Sequence, residues 1–416
     1  MRRMPAFGFA LIFLFIAIIE YYTFTALRFT LKSVRPSVRI TINTLYILTS
    51  VSFILMFLFF PYLRTIEISK TLKNFIFGFS FALLGAKILI SLVLLLDDLR
   101  RGLFYIFSFF SYNDIKDVKT SKGMSRSEFL NTVALLFGAG IFTTILYGMT
   151  NRYKYKVKKI PLKFDNLPSA FKGLKAIHIS DIHSGSFNNI NAVKKGVELI
   201  NSLKADIVFF TGDLVNNKSS EMQDYFDVFK KIKAPMGVYS ILGNHDYGDY
   251  IEWESKEAKE KNLDLLKQIH RNMDWHLLLD EHVVLENKND KIALLGVQNV
   301  SFNHRFPTYG SLEKAYQGTA DYPFKILLSH DPTHWDGEIN TKYKDIDLTL
   351  SGHTHGFQFG VEIPGFRWSV AQYAYKQWAG LYQKENQFIY VNRGFGFLGY
   401  PGRVGILPEI TLLEFT

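Results

Sequence analysis

Cysteine is absent from all 416 residues. Disulfides, thiolate metal ligands and a cysteine nucleophile are therefore excluded, although the absence says little about compartment. Internal repeats and low-complexity tracts are also missing, which sets aside solenoid and linker-dominated architectures. Acidic residues are in deficit, with 38 Asp and Glu against 48 Lys and Arg and a formal net charge of +10. Such a balance suits nucleic acid, anionic lipid or the flanks of membrane spans. Many cations border apolar runs, among them Arg2, Arg3, Arg35, Arg39, Arg100, Arg101, Lys158 and Lys159. The membrane reading is therefore preferred, with lipids as partners and no specific nucleic acid.

The long apolar runs are confined to the first 150 residues, and many of the 38 Phe fall there. Four stretches, approximately 6–27, 40–63, 74–96 and 129–148, are long enough to span a bilayer, which takes about 20 helical residues. A cleaved leader explains none of the middle two, and the first lacks a small-residue cleavage site. A shorter aromatic stretch, 104–112, reads as an interfacial segment. Glu20, near the end of the first span, reads either as an intramembrane carboxylate with a functional role or, as is preferred beside Tyr21 and Tyr22, as a residue at the headgroup level.

Loop charge bears on sidedness. Arg28, Lys32, Arg35 and Arg39 follow the first span, and Arg100, Arg101, Lys116, Lys119, Lys122 and Arg126 follow the third. Cytoplasmic placement of these loops puts the C-terminal part outside the cytoplasm, against the opposing pull of Arg2, Arg3 and the juxtamembrane cations. The segment Ser125-Arg126-Ser127-Glu128 reads either as a degenerate twin-arginine export signal or as a capping box with Ser125 as N-cap.

After Lys159 the pattern changes to short β-rich runs alternating with amphipathic stretches. Strands are predicted at 174–179, 207–210, 238–242, 292–297, 325–329, 348–351, 388–391 and 410–415, and helices at 191–203 and 254–269. This alternation predicts a layered α/β domain. The expected organisation is a transmembrane helix bundle over 1–150, a juxtamembrane linker over 151–170 and a catalytic domain over 171–416.

Several predicted strands run directly into Asp, Asn or His: Asp181-Ile182-His183, Gly212-Asp213, Gly243-Asn244-His245-Asp246, His330, and Gly352-His353-Thr354-His355. In layered α/β folds ligands bind outside the carboxyl ends of strands, so these groups are expected on one rim. Asp181, His183, Asp213, Asn244, His330, His353 and His355 supply carboxylate, amide and imidazole donors suited to Mn, Fe or Zn. Seven ligands are too many for one ion with an open position, but enough for two ions sharing a carboxylate. Two such ions clamp the attacking and leaving oxygens of an in-line displacement. Any one of these residues alone reads better as a turn former; the set in this order does not.

This ordered set resembles the calcineurin-like metallophosphoesterase superfamily. All five of its blocks are present within about residues 160–416. Within the superfamily the chain is most similar to the membrane-associated branch of YkuE- and YaeI-like phosphodiesterases, down to the Pro408-Glu409-Ile410-Thr411 ending. The resemblance implies a four-layer α-β-β-α sandwich of two mixed sheets flanked by helices. It implies that Asp181, His183 and His355 bind one metal, that Asn244, His330 and His353 bind the other, and that Asp213 bridges them. It further implies hydrolysis by water activated between the cations, with His245 protonating the leaving oxygen or stabilising the phosphoryl group and Asp246 orienting His245. Gly356-Phe357-Gln358 departs from the Gly-Gly-Gln common in that branch, and this bears on substrate shape.

The implied activity is hydrolysis of a phosphate mono- or diester, with a lipid-linked phosphoester in view because of the anchor. The alternative is a non-catalytic membrane sensor or assembly protein with a metal-binding domain. That alternative predicts missing ligands or a missing His245, and none is missing. Arg393 and Arg403, in a Gly- and aromatic-rich loop, are candidates to pair with a phosphate oxygen, and His334 to line the pocket. His178 is expected to be a packed core residue. His270, His276, His282 and His304 read as surface or packing residues.

Overall fold

The computed structural model describes residues 6–58, 69–110 and 126–416. The chain divides into two compact units between Tyr147 and Gly148. The first unit contains helices α1 (Ala6–Thr30), α2 (Pro36–Leu58), α3 (Lys70–Phe110) and α4 (Arg126–Gly148). Each contains a stretch long and apolar enough to cross a membrane. Large apolar side chains such as Leu14, Leu48, Leu96 and Leu136 point outward. That is the expected pattern where lipid tails, rather than water, are the solvent.

One expectation for this unit changes. The aromatic stretch after the third span is not a separate interfacial piece, because α3 continues to Phe110. The polar interruption is satisfied within the helix: Asp97 accepts from Arg100 at 2.8 Å and from Arg101 at 2.5 Å, at i+3 and i+4 spacing. Glu20 is tied to the neighbouring helices. Its Oε1 accepts from Lys87 Nζ at 2.5 Å, and its Oε2 accepts from Tyr46 Oη at 2.5 Å and Ser50 Oγ at 2.9 Å. A buried cation among apolar helices requires such a partner, and Glu20 supplies it to α3 from α1. Ser125 and the loop cations Lys116, Lys119 and Lys122 lie outside the described residues.

The second unit is built on two six-stranded mixed sheets and a two-stranded hairpin. The first sheet contains β1 (Lys156–Leu162), β2 (Lys175–Ile179), β3 (Ile207–Phe210), β4 (Val238–Ser240), β5 (Trp275–Leu277) and, between β1 and β2, the C-terminal strand. The second contains β6 (Glu281–Asn287), β7 (Asp290–Gly296), β8 (Lys325–Leu328) and β9 (Leu348–Ser351). After these come β10 (Gly360–Ile363) and β11 (Phe366–Ser369), which form the hairpin. β12 (Gly380–Lys384) and β13 (Gln387–Val391) complete the second sheet, and β14 (Glu409–Phe415) is the C-terminal strand. The stretch expected as a linker instead supplies β1, which pairs in parallel with β14 across seven residues from Lys156–Glu409 to Leu162–Phe415. Exposed Lys156 and Lys159 give this edge strand the composition of a membrane flank.

Alternation along the strands assigns the layers. Ala176, Ile207, Phe209 and Leu413 of the first sheet meet Leu294, Ile326, Leu328, Leu348 and Leu350 of the second in one core. On its other face the first sheet turns Ile177, Ile179, Val208 and Phe210 toward Val193, Val197 and Ile200 of helix α5 (Ile190–Ser202). Leu266 of helix α6 (Lys256–Asn272) joins that cluster. The second sheet turns Ala293, Leu295 and Leu327 toward Leu312, Trp335 and Ile339. The result is the four-layer α-β-β-α sandwich. β2, β3 and β4 are parallel neighbours, as are β8 and β9, so each group delivers its carboxyl ends along a common edge.

Candidate metal centre

The loops after β2, β3, β4, β8 and β9 are stitched together by main-chain hydrogen bonds. The N–H of Asp181 donates to the carbonyl of Gly212 at 2.9 Å, His183 to Asp213 at 3.0 Å, and Gly352 to His330 at 2.9 Å. Five of the seven expected ligands sit at positive φ: Asp181 at 51°, His183 at 48°, Asp213 at 61°, His353 at 71° and His355 at 51°. Non-glycine residues adopt this region rarely, and clusters of such residues mark functional sites. Gly212, at φ 90°, lies so close to β4's loop that a Cβ there would strike the backbone of Gly243. A Cβ on Gly352 would likewise strike the carboxylate of Asp181. Packing of backbone on backbone is what lets the side chains converge.

All seven side chains come together. Asp181, His183, Asp213, Asn244, His330 and His355 are buried. His355 Nε2 lies 3.3 Å from Asp181 Oδ1 and 3.0 Å from His183 Nε2. His353 Nδ1 lies 2.8 Å from Asn244 Oδ1 and 3.3 Å from His330 Nε2. Asp213 Oδ2 stands between the two sets, 3.5 Å from His183 Nε2 and 3.2 Å from His330 Nε2. Two groups that share Asp181, Asp181–His183–His355 and Asp181–Asp213–His330, each bring three donor atoms within 4.8 Å of one another, close enough for a metal ion.

The donor chemistry fits divalent cations. Convergence of lone-pair nitrogens and carboxylate oxygens in a buried site is costly unless a cation or protons sit among them. Burial pushes the His183 imidazole down to about 3 and His353 to about 4, and holds His355 well below its usual value, so all three present neutral nitrogens at pH 7. Burial acts the same way on His330, but Asp213 and then Asp181 outweigh it and push that imidazole up to about 10. The carboxylates thus draw positive charge to this point, and a divalent cation would answer the same demand.

Outer contacts orient the ligands. His330 Nδ1 donates to the Thr211 carbonyl at 2.7 Å, which leaves Nε2 facing Asp213. Asp181 accepts from the N–H of His353 and from Ser180 Oγ. His245 Nδ1 donates to the Asn216 carbonyl at 2.8 Å, and its N–H donates to Asp213 Oδ1 at 2.9 Å. Asp246 was expected to orient His245 but does something else. Its two oxygens accept the N–H groups of Asp213, Leu214, Val215 and Gly243 at 2.9–3.2 Å, clamping the loops after β3 and β4. Adjacent side chains in this tight turn diverge, so the carbonyl of Asn216, not Asp246, fixes the ring.

The three candidate substrate residues are turned inward. Arg393 is 3% exposed and ion-paired to Glu409 and to Glu362. Arg403 is fully buried and donates to the carbonyls of His355, Arg393, Gly394 and Gly396 and toward His355 Nδ1. His334 is buried between Ser329 Oγ at 2.8 Å and Glu338 at 3.2 Å. These groups are committed to internal partners rather than turned toward the rim. Two tyrosines instead border the donor set. Tyr250 Oη contacts Asn244 Nδ2 at 2.6 Å, and Tyr375 Oη contacts His353 Nε2 at 3.1 Å. Nothing in the spacing of either tyrosine signalled these contacts. Phe357 is exposed, edge-on to Tyr375 with ring centroids 6.2 Å apart. His178 is a buried core residue bonded to Thr211.

Comparison with known proteins agrees with both units. The profile of the transmembrane domain of probable calcineurin-like phosphoesterases matches residues 2–152, and that of calcineurin-like phosphoesterases matches residues 174–357. A transmembrane protein with metallophosphoesterase domain from Danio rerio is 30% identical over 327 residues, covering 74% of this chain and 69% of the relative. Metallophosphoesterase YkuE from Bacillus subtilis is 30% identical over 301 residues, covering 70% of this chain and 97% of the relative. YkoQ from the same organism is 29% identical over 290 residues, covering 67% and 98%. With four apolar helices ahead of a four-layer sandwich that gathers this donor set on one rim, the chain belongs to the calcineurin-like metallophosphoesterases that carry a four-helix transmembrane domain.

Proposed function

We propose that this protein is a phosphoric ester hydrolase that uses two divalent cations, acting on a phosphodiester or phosphomonoester at a membrane surface. The observation that carries the reading is the position of Asp213 Oδ2, within 3.5 Å of an imidazole nitrogen from each half of the donor set. In this reading Asp181, His183 and His355 hold one cation, Asn244, His330 and His353 hold the other, and Asp213 is shared. The bound cations would neutralise the phosphoryl oxygens and lower the pKa of a water toward neutrality.

The chain's own residues supply the rest. The neutral imidazoles of His183, His353 and His355 present lone pairs without a proton to displace, whereas His330 would give up its proton to the cation. Asp213 is fixed through Oδ1 by the His245 N–H, which frees Oδ2 to be shared. Hydrolysis joins a water oxygen to phosphorus and breaks the P–O bond to the leaving group, whose oxygen needs a proton. In this reading His245 gives it, a role supported by the Asn216 carbonyl holding Nδ1 and leaving Nε2 free to carry the proton. Retention of every ligand and of His245 favours hydrolysis over a non-catalytic sensor role.

The anchor and the cations of the loops after α1 and α3 support a lipid-linked phosphoester as substrate and an extracytoplasmic domain. The test is hydrolysis of an aryl phosphodiester and a phospholipid panel by the purified full chain with Mn²⁺. Activity abolished by Asp213→Ala and by chelation supports the reading. Activity indifferent to both would refute it.

A further inference from the structure

The hairpin of β10 and β11 begins two residues after Gln358, in the turn that follows His355, and it belongs to neither large sheet. Its apolar side chains face outward: Ile363 at the tip is 57% exposed and Phe366 is 53% exposed, with Val361 beside them. Ile363 and Phe366 are paired across the hairpin, and exposed Val370 and Tyr373 follow in the next turn. Continuous apolar exposure on one small element marks a binding surface rather than scattered surface residues.

The hairpin's attachment points to its occupant. The carbonyl of Gly148, the last residue of the fourth apolar helix, accepts the Arg403 N–H at 2.9 Å. The next residue, Val404, donates to Gln358 and accepts from Gly360 at 2.8 and 2.9 Å. The base of the hairpin is thus one rung from the point where the chain leaves its last span. A strand advances about 3.3 Å per residue, so the tip extends about 10 Å beyond Gly360. Lys158 of β1 pairs with Glu362 at 3.0 Å, which sets the hairpin beside a strand with exposed Lys156 and Lys159. An exposed apolar hairpin beside a strand that carries exposed lysines is a combination suited to an anionic bilayer surface.

We propose that the tip of this hairpin, Ile363 and Phe366 foremost, inserts into the headgroup–acyl boundary of the bilayer that the chain's own helices cross. The inference rests on membrane anchoring and not on hydrolysis. It gives the domain a second hold on the membrane besides the covalent tether, beside the loop that carries His355.

The absence of cysteine makes the test direct. Ile363→Cys, Phe366→Cys and, as control, Asn289→Cys in the β6–β7 turn each create a single thiol for a nitroxide label in the full chain. The labelled proteins are placed in vesicles of phosphatidylcholine with phosphatidylglycerol, and relaxation by oxygen is compared with relaxation by a water-soluble nickel chelate. Labels at 363 and 366 are expected to favour oxygen severalfold, and the control to favour nickel. The His245→Asn background should give the same depths, which separates this result from the fate of the hydrolase reading. Nickel accessibility at 363 and 366 equal to the control would overturn the proposal. So would spin–spin broadening that disappears on dilution with unlabelled chain, which would assign the surface to a second copy.

Discussion

Asp213 and Asp246 are tied to each other across two loops: Asp246 Oδ2 accepts the Asp213 N–H at 2.9 Å, while Asp213 Oδ1 accepts the N–H of His245, the residue before Asp246, also at 2.9 Å. The clasp joins the turn after β3 to the turn after β4. It holds the Asp213 carboxylate so that Oδ2 alone faces the imidazoles. One acidic residue thus positions a donor and the other positions the backbone that carries it.

Asp246 is therefore predicted to act on stability and assembly of the rim before it acts on chemistry. Asp246→Ala leaves four N–H groups without their acceptor and is expected to cost about 3 kcal/mol in urea denaturation of the full chain. Asp246→Asn should be nearly as harmful, because its amide presents donors to donors. Stability unchanged in both variants would contradict the clamp.

His245 makes the opposite prediction. Its side chain holds no place in the donor set, so His245→Asn should retain the metal content of the parent. Its kcat on an aryl phosphodiester should fall by about 10²–10⁴-fold, the range for loss of a general acid. Loss of metal together with activity would assign His245 to the ligands instead.

Gly212 is predicted to tolerate no side chain. Gly212→Ala places a Cβ against the Gly243 backbone at a φ of 90°, which L-residues adopt at a cost. A loss of about 2 kcal/mol or more is expected, with reduced metal uptake, since the turn after β3 would be displaced from the turn after β4. Wild-type stability would show that the two turns have room to separate.

His270 supplies a pH test away from the site. It is fully buried against Ser240 Oγ at 3.0 Å, and burial pushes its imidazole down to about 3. The unfolded imidazole titrates near 6.5, so the unfolded state takes up the proton first. Its contribution is fully present above that value and is lost as the pH falls toward 3, at up to about 1.4 kcal/mol per pH unit. His270→Leu should flatten the acid limb of the stability curve by about one proton between roughly pH 4 and 6. An unchanged slope would mean that His270 is protonated in the folded chain.

Short buried strands were the most legible part of the fold. β3 and β9 were delimited to the residue because four consecutive buried positions end in polar turns. β1 was hidden by its lysines, which an edge strand tolerates as readily as a membrane flank does. The pairing of Glu20 was not legible from its own helix, because its partner Lys87 lies 67 positions away. In the site, the strand-end motifs located the seven donor residues that the structure gathers, since parallel neighbours fix where carboxyl ends lie. Side-chain direction was not legible. Arg393 and Arg403 read as free cations in a glycine-rich loop, but Glu409 and a set of carbonyls draw them inward. Contacts made only through space, such as Tyr250 with Asn244, leave no trace in spacing.

The central claim is that two cations share Asp213, and counting bound metal tests it most directly. Equilibrium dialysis of the purified full chain against Mn²⁺, read by elemental analysis, should give two ions per chain. Asp213→Ala should bind fewer, and it should lose the magnetic coupling that a close Mn²⁺ pair shows in its paramagnetic resonance spectrum. A single ion per chain, held equally well by Asp213→Ala, would contradict the account.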